Sequence, residues 1–196
     1  HLRKVAIALH VGKVRRDVHH GGDGLAALAH GVGLEDFSHL VEEHDGRALV
    51  VLCDHLTDAG NLGAIARSAE SVGAAGIVIP NKRAAHVTAA TYKSSAGAIS
   101  HINVTQVANL SQTIERLKKE GFWVCAASEH AQEVAWKSNL KGKIALVMGS
   151  EGEGVSSLVL ENCDFAVKLP QMGKVSSLNV AQASTVFMYE WLRQQQ

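Results

Sequence analysis

From residue 48 onward, short β-rich apolar runs alternate with segments whose apolar residues recur at helical spacing. That alternation admits few folds, because strands joined through helices form a mostly parallel sheet covered on both faces. Ala48–Cys53 opens the series. Asn61–Val72 then places apolar residues at 62, 65, 66, 69 and 72, the stripe of one helix face. Gly76–Pro80 reads as the next strand, Arg83–Tyr92 as a helix, and a short strand is expected near Ile102–Val104. Leu110, Ile114 and Leu117 mark a helix ending at Gly121, with strands over Phe122–Ala127, Ile144–Met148 and Phe165–Leu169 after it. Val180, Ala183, Phe187 and Trp191 stripe the closing helix. The expectation is an α/β domain over residues 48–196, a mostly parallel sheet with helices on both faces.

Residues 1–47 do not share this alternation. Lys13–Arg16 is basic, His19–Gly24 is rich in turn residues and Leu25–His30 is alanine-rich, so the segment reads as a linker or the remnant of an N-terminal module. Lys+Arg and Asp+Glu each total 19, a balance that argues against wholesale wrapping of nucleic acid but permits a local contact patch. Cys53, Cys125 and Cys163 lie far apart with no C-x-x-C pair, which favours a reducing, cytoplasmic setting. No apolar stretch approaches the ~20 residues of a membrane span. The 11 histidines include no H-E-x-x-H and no Cys/His cluster, so no metal site is expected. The glycine fingerprints of dinucleotide folds and of phosphate-loop NTPases are missing, as is the G-x-S-x-G elbow of α/β-hydrolases.

Three blocks carry the candidate chemistry. The first is Asn61–Arg67, at the start of a helix. Asn61 fits either an N-cap or an amide facing a ligand, a helix N-terminus favours anions, and Arg67 lies off the apolar stripe. The second, Gly149–Gly154, follows an apolar strand. It fits a flexible turn or a ligand-facing loop, and Glu151 and Glu153 oppose a phosphate there while suiting a cationic or hydroxyl-rich ligand. In the third, Gly173 permits a tight turn, Ser177 and Asn179 offer hydrogen bonds, and Leu178 and Val180 are apolar. In ordinary dinucleotide folds the glycine turn follows the first strand. Here both glycine turns fall within the last fifty or so residues.

N-x-G-x-x-x-R, G-S-E-G-E-G and P-x-x-G-x-V-x-S-L-N-V, in this order, resemble the three motifs of the SpoU (TrmH-like) RNA ribose 2′-O-methyltransferases of the SPOUT superfamily. The nearest group methylates a guanosine ribose in 23S ribosomal RNA, and Ser94–Ala98 resembles that group as well. The resemblance implies a Rossmann-like sheet with a C-terminal deep trefoil knot, residues 1–47 as a linker or the remnant of an N-terminal RNA-binding module, and a homodimer with active sites at or near the subunit interface. It further implies S-adenosylmethionine (AdoMet) held by Ser128, Met148, Gly149, Ser150, Gly152, Leu169, Met172 and Leu178. The catalytic group it implies is Arg67, Asn61, Glu151, Ser177 and Asn179, with RNA as partner and no membrane or metal involved. A guanidinium with pKa above ~12 is a poor base, so Arg67 is expected to stabilise charge developing on the ribose hydroxyl. Transfer RNA is the alternative target, base methylation the alternative reaction, and a catalytically idle RNA- or AdoMet-binding module the alternative class. The family usually has a proline between the aspartate and asparagine of the first motif, where this chain has Asp58-Ala-Gly-Asn61.

Overall fold

β1 (Ala48–Cys53) is buried along its whole length, because apolar layers cover both of its faces. Leu49, Val51 and Cys53 belong to one layer and Val50 and Leu52 to the other, the period-2 alternation of a central strand. The computed structural model describes Val41, residues 45–174 and residues 177–196. The expectations for Lys13–Arg16, His19–Gly24 and Leu25–His30, and for Val175 and Ser176 of the third block, lie outside the described residues.

After β1 come α1 (Ala59–Ser71), β2 (Gly76–Pro80), α2 (Ala89–Ser94), β3 (Val104–Val107), α3 (Leu110–Lys119) and β4 (Trp123–Ala127). The chain continues through β5 (Glu133–Val134), β6 (Lys143–Met148), α4 (Ser157–Glu161), β7 (Phe165–Lys168) and α5 (Val180–Gln194). The strands form one seven-stranded sheet in the order β3-β2-β1-β6-β4-β7-β5, and every pairing is parallel. α1 and α5 pack on one face through Leu62, Ile65, Ala66, Phe187, Met188 and Trp191. α3 and α4 cover the other face through Leu110, Ile114, Leu117 and Val159. Each large aliphatic side chain so buried contributes on the order of 1.5–3 kcal/mol.

The two halves of the sheet are wound from its centre. From β1 the chain proceeds outward to β2 and β3, whereas β6, the other neighbour of β1, belongs to the opposite half. Ligands in such sheets bind beyond the carboxyl ends of the strands where the winding reverses. Here that point is the pair Cys53 and Met148, matched in register at the ends of β1 and β6.

The strands expected from Phe122, from Ile144 and to Leu169 shift by a single residue, and three other differences have a clear local cause. The helix expected over Arg83–Tyr92 begins only at Ala89, where Thr88 and Thr91 form a reciprocal capping box; Arg83 has φ +54°, which no helix accommodates. The strand expected near Ile102–Val104 runs over Val104–Val107, since Ile77 pairs with Val104 and donates its N–H to the Asn103 carbonyl. Asp58, and not Asn61, caps α1: its Oδ1 accepts the Asn61 N–H at 2.6 Å, leaving Asn61 at the third helical position with its side-chain amide free for other work. β5 and α4 are too short for periodicity to mark them.

Candidate functional site

The second glycine block is a closed loop tied to the sheet. Ser150 N–H donates to the Gly154 carbonyl at 3.0 Å and Gly154 N–H returns to the Ser150 carbonyl at 3.1 Å, folding residues 150–154 back on themselves. Gly152 and Gly154 take φ of +96° and +70°, which favour glycine. A Cβ on Gly149 would run into the Gly154 carbonyl and the Val155 nitrogen, so its missing side chain allows the loop to close. Asp54, just past β1, fixes the loop from below. Its buried carboxylate accepts the Ser156 N–H at 2.8 Å on Oδ2, and the His55 Nδ1 lies 2.7 Å from Oδ1.

Above this loop the three sequence blocks meet. Asn179 caps α5, its Oδ1 accepting the N–H groups of Ala181 at 2.9 Å and Gln182 at 3.4 Å. Backbone N–H groups only donate, so the Asn179 Nδ2 must face away from the helix. There it donates to Glu151 Oε1 at 2.6 Å and to Asn61 Oδ1 at 3.0 Å. Asn61 Nδ2 completes the triangle by donating to Glu151 Oε1 at 3.2 Å. Every donor and acceptor role follows from the helix cap, and one carboxylate is clamped by two amides arriving from distant parts of the sequence.

The triangle stands at the mouth of a cleft of about 640 Å³, within the range of small-molecule sites. Met148, Leu160, Leu169, Leu178 and Phe187 give it apolar walls. Ser128, Gly149, Ser150 and Gly152, expected at the cofactor, line it, and so do Glu151, Ser177 and Asn179 of the expected catalytic group. Among the described residues Glu129, Glu151 and Glu153 line it against one Lys or Arg, Lys168, with His130 beside them, a charge balance that favours a positively charged ligand. Sequence reasoning missed Glu129, His130 and Leu160. The first two follow directly on Ser128 and are marked by that proximity alone, and Leu160 lies on α4, which carries no legible pattern. Phe187 was legible only as core.

Two predicted residues stand apart. Met172 lies outside the cleft lining with its side chain 99% exposed, on the turn between Pro170 and Gly173. Arg67 also lies outside the lining; it is exposed on α1, and among the described residues its side chain has no hydrogen-bond or ion-pair partner. The cysteines are not candidate nucleophiles. Burial pushes the Cys53 thiol up to about 12 and that of Cys163 to about 11, and raises Cys125 further. Among the described residues no group of His, Cys, Asp and Glu could hold a metal ion, and no helix is long and apolar enough to cross a membrane.

The SpoU rRNA methylase family model matches residues 48–189 of the chain. Among curated relatives, YacO of Bacillus subtilis, named for the TrmH family of tRNA/rRNA methyltransferases, is 44% identical over 160 residues. The match covers 82% of this chain and 64% of YacO, so the chain spans less than two-thirds of that relative's length. The SpoU methyltransferase AviRb of Streptomyces viridochromogenes, solved in complex with the cofactor AdoMet, superposes with a TM-score of 0.71 at 28% identity, over 76% of this chain and 58% of AviRb. An RNA 2′-O ribose methyltransferase structure gives a TM-score of 0.70 at 28% identity, over 76% of this chain and 57% of that one.

Proposed function

The chain belongs to the SpoU rRNA methylase family, and from that premise we propose that it transfers the methyl group of AdoMet to a ribose 2′-hydroxyl of RNA. The observation that carries this reading is the Asn61–Glu151–Asn179 triangle, which joins all three motif blocks at the mouth of an acid-lined cleft. The cleft fits the cofactor in volume, in its apolar walls and in its excess of carboxylates over cations. Ser128, Met148, Gly149, Ser150, Gly152, Leu169 and Leu178 would hold it. AdoMet supplies a methyl group already activated as a sulfonium.

The chain's own residues then have positioning and charge-stabilising work to do. Asn61 and Asn179, oriented through the cap of α5, together with Ser177, hold the ribose at the cleft mouth. Arg67 stabilises the negative charge that develops on the attacking oxygen, where a preorganised cation contributes most. Arg67 is exposed, unpartnered among the described residues, and outside its own cleft. Those facts support a homodimer in which each Arg67 serves the partner's site, in keeping with the interface location that the family resemblance implies. Residues 48–196 are the catalytic domain in this reading, and the segment from β6 to α5 threads the C-terminal trefoil knot. The placement of β4 between β6 and β7 supports that threading. Cysteines without disulfides fit action in the cytoplasm. A guanosine of large-subunit rRNA is the favoured target, on the resemblance of Ser94–Ala98.

Arg67→Ala tests the mechanism. The variant is expected to lose methyl transfer by at least ~10²-fold, the scale of an oxyanion-stabilising group, while AdoMet affinity measured by calorimetry stays within about twofold. Unchanged turnover would remove the mechanism. Product RNA digested with alkali should yield labelled, resistant dinucleotides, because a methylated 2′-oxygen no longer attacks the neighbouring phosphate. Label released wholly as mononucleotides would instead indicate a base methylase, and mapping of the label separates rRNA from tRNA.

A further inference from the structure

From Ser71 to Ile114 the sequence contains no Asp or Glu, although the whole chain has as many acidic as basic residues. The same stretch carries Lys82, Arg83 and Lys93, with His86 and His101. It builds β2, α2 and β3, one edge of the sheet, beside the helix that bears the first motif block. Lys82 and Arg83 leave the carboxyl end of β2, the same rim of the sheet onto which the cleft opens. Both are exposed, as is Lys93, and none of the three pairs with a carboxylate among the described residues.

This rim is held rigidly against the first block. Ala85 N–H donates to the Leu56 carbonyl at 2.6 Å, tying the loop after β2 to the turn that precedes α1. α2 lies so close on α1 that a Cβ at Gly63 would collide with Ser94 Oγ and the Thr91 carbonyl. Arg67 sits one helical turn beyond Gly63 along α1 and is exposed. Tyr92, 45% exposed, stands next to Lys93 at the end of α2. Arg83 is kept in the left-handed region at φ +54°, a conformation that costs a non-glycine residue free energy and recurs at functional positions.

The molecule is therefore electrically divided. Carboxylates gather at the cleft, and an acid-free stretch of chain with exposed cations and an exposed aromatic packs against the helix that bears Arg67. We propose that Lys82, Arg83 and Lys93, with Tyr92, form the docking surface for the RNA strand flanking the target nucleotide, the cations on its phosphates and the aromatic ring against a base. The proposal rests on RNA being the substrate, as inferred above.

The test uses the whole chain and an in vitro transcript of large-subunit rRNA, with binding measured from 50 to 200 mM salt and methyl transfer measured from labelled AdoMet. Lys82→Ala, Arg83→Asn and Lys93→Ala are combined; Asn tolerates the left-handed backbone at 83. Removing three phosphate contacts should weaken RNA binding by about tenfold or more and flatten the log–log salt slope by roughly 2. The KM for RNA should rise while kcat at saturating RNA and AdoMet affinity hold. Lys82→Arg, Arg83→Lys and Lys93→Arg together should restore the slope. A control with Lys119→Ala, Lys137→Ala and Lys141→Ala, equal in charge removed but outside the acid-free stretch, should leave it unchanged. An active wild type whose RNA affinity and slope are the same in the first variant overturns the proposal, as does an equal loss in the control. RNA binding that depends on the three cations, without methyl transfer to this transcript or to total tRNA, would instead overturn the methyltransferase reading and leave the docking surface standing.

Discussion

Asn179 meets two demands with one amide: its oxygen ends α5 and its nitrogen clamps Glu151. Asn179→Ala should therefore cost about 1–2 kcal/mol in urea unfolding, the loss of an N-cap, and methyl transfer should fall together with stability. A variant that unfolds like the wild type would mean that the cap contributes little to α5. The cysteines give a second residue-level prediction. Burial raises the folded-state value of Cys53 from 9.0 to about 12, so the folded protein retains a proton that the unfolded chain releases. Stability from this group is complete below pH 9 and declines as pH rises toward 12. A thiol reagent at pH 8 should find Cys53 and Cys125 inert until the protein unfolds; rapid labelling of either would contradict their burial. Asn61 and Asn179 were legible as polar residues at helix starts, but which of them caps was not, because Asp58 sits near enough to do the work for α1.

At the scale of elements, the longer strands stand where the apolar runs place them, and β1 and β2 match their expected bounds. Short elements fall outside that reading. α4 has five residues and β5 two, too few for an apolar period to repeat, and both are held by tertiary neighbours. The missing proline of the first motif has an explanation at this scale. Ala59 is the first residue of α1, where a backbone N–H has no helical acceptor, and Asp58 before it is extended at φ −83° and ψ 120°. Ala59→Pro should therefore stabilise the protein by about 0.4–1 kcal/mol, through a less flexible unfolded chain. Thermal unfolding checks it, and a lower melting temperature would show that the Ala59 backbone makes a contact the ring cannot keep.

For the whole molecule, Arg67 decides whether one chain suffices. The Arg67→Ala and Leu178→Arg variants should each be inactive, the second because a guanidinium fills the cleft. If the chain forms the proposed homodimer and each Arg67 serves its partner, mixed dimers of the two contain one intact site and should recover about half of the wild-type activity. Mixed dimers that stay inactive would place Arg67 in its own subunit's site.

The sequence by itself determined the layered α/β architecture, because period-2 and period-3.6 apolar patterns are local and survive translation into strands and helices. It also determined the identity of the three blocks, because glycine, asparagine and arginine at fixed spacings are local too. Only the tertiary structure decided that Glu151 faces two asparagines, that Gly149 is required by its own chain's return, and that Arg67 and Met172 stay outside the cleft. Those outcomes depend on which strand ends lie side by side. Strand order is set by long-range burial across the sheet, and no local pattern encodes it.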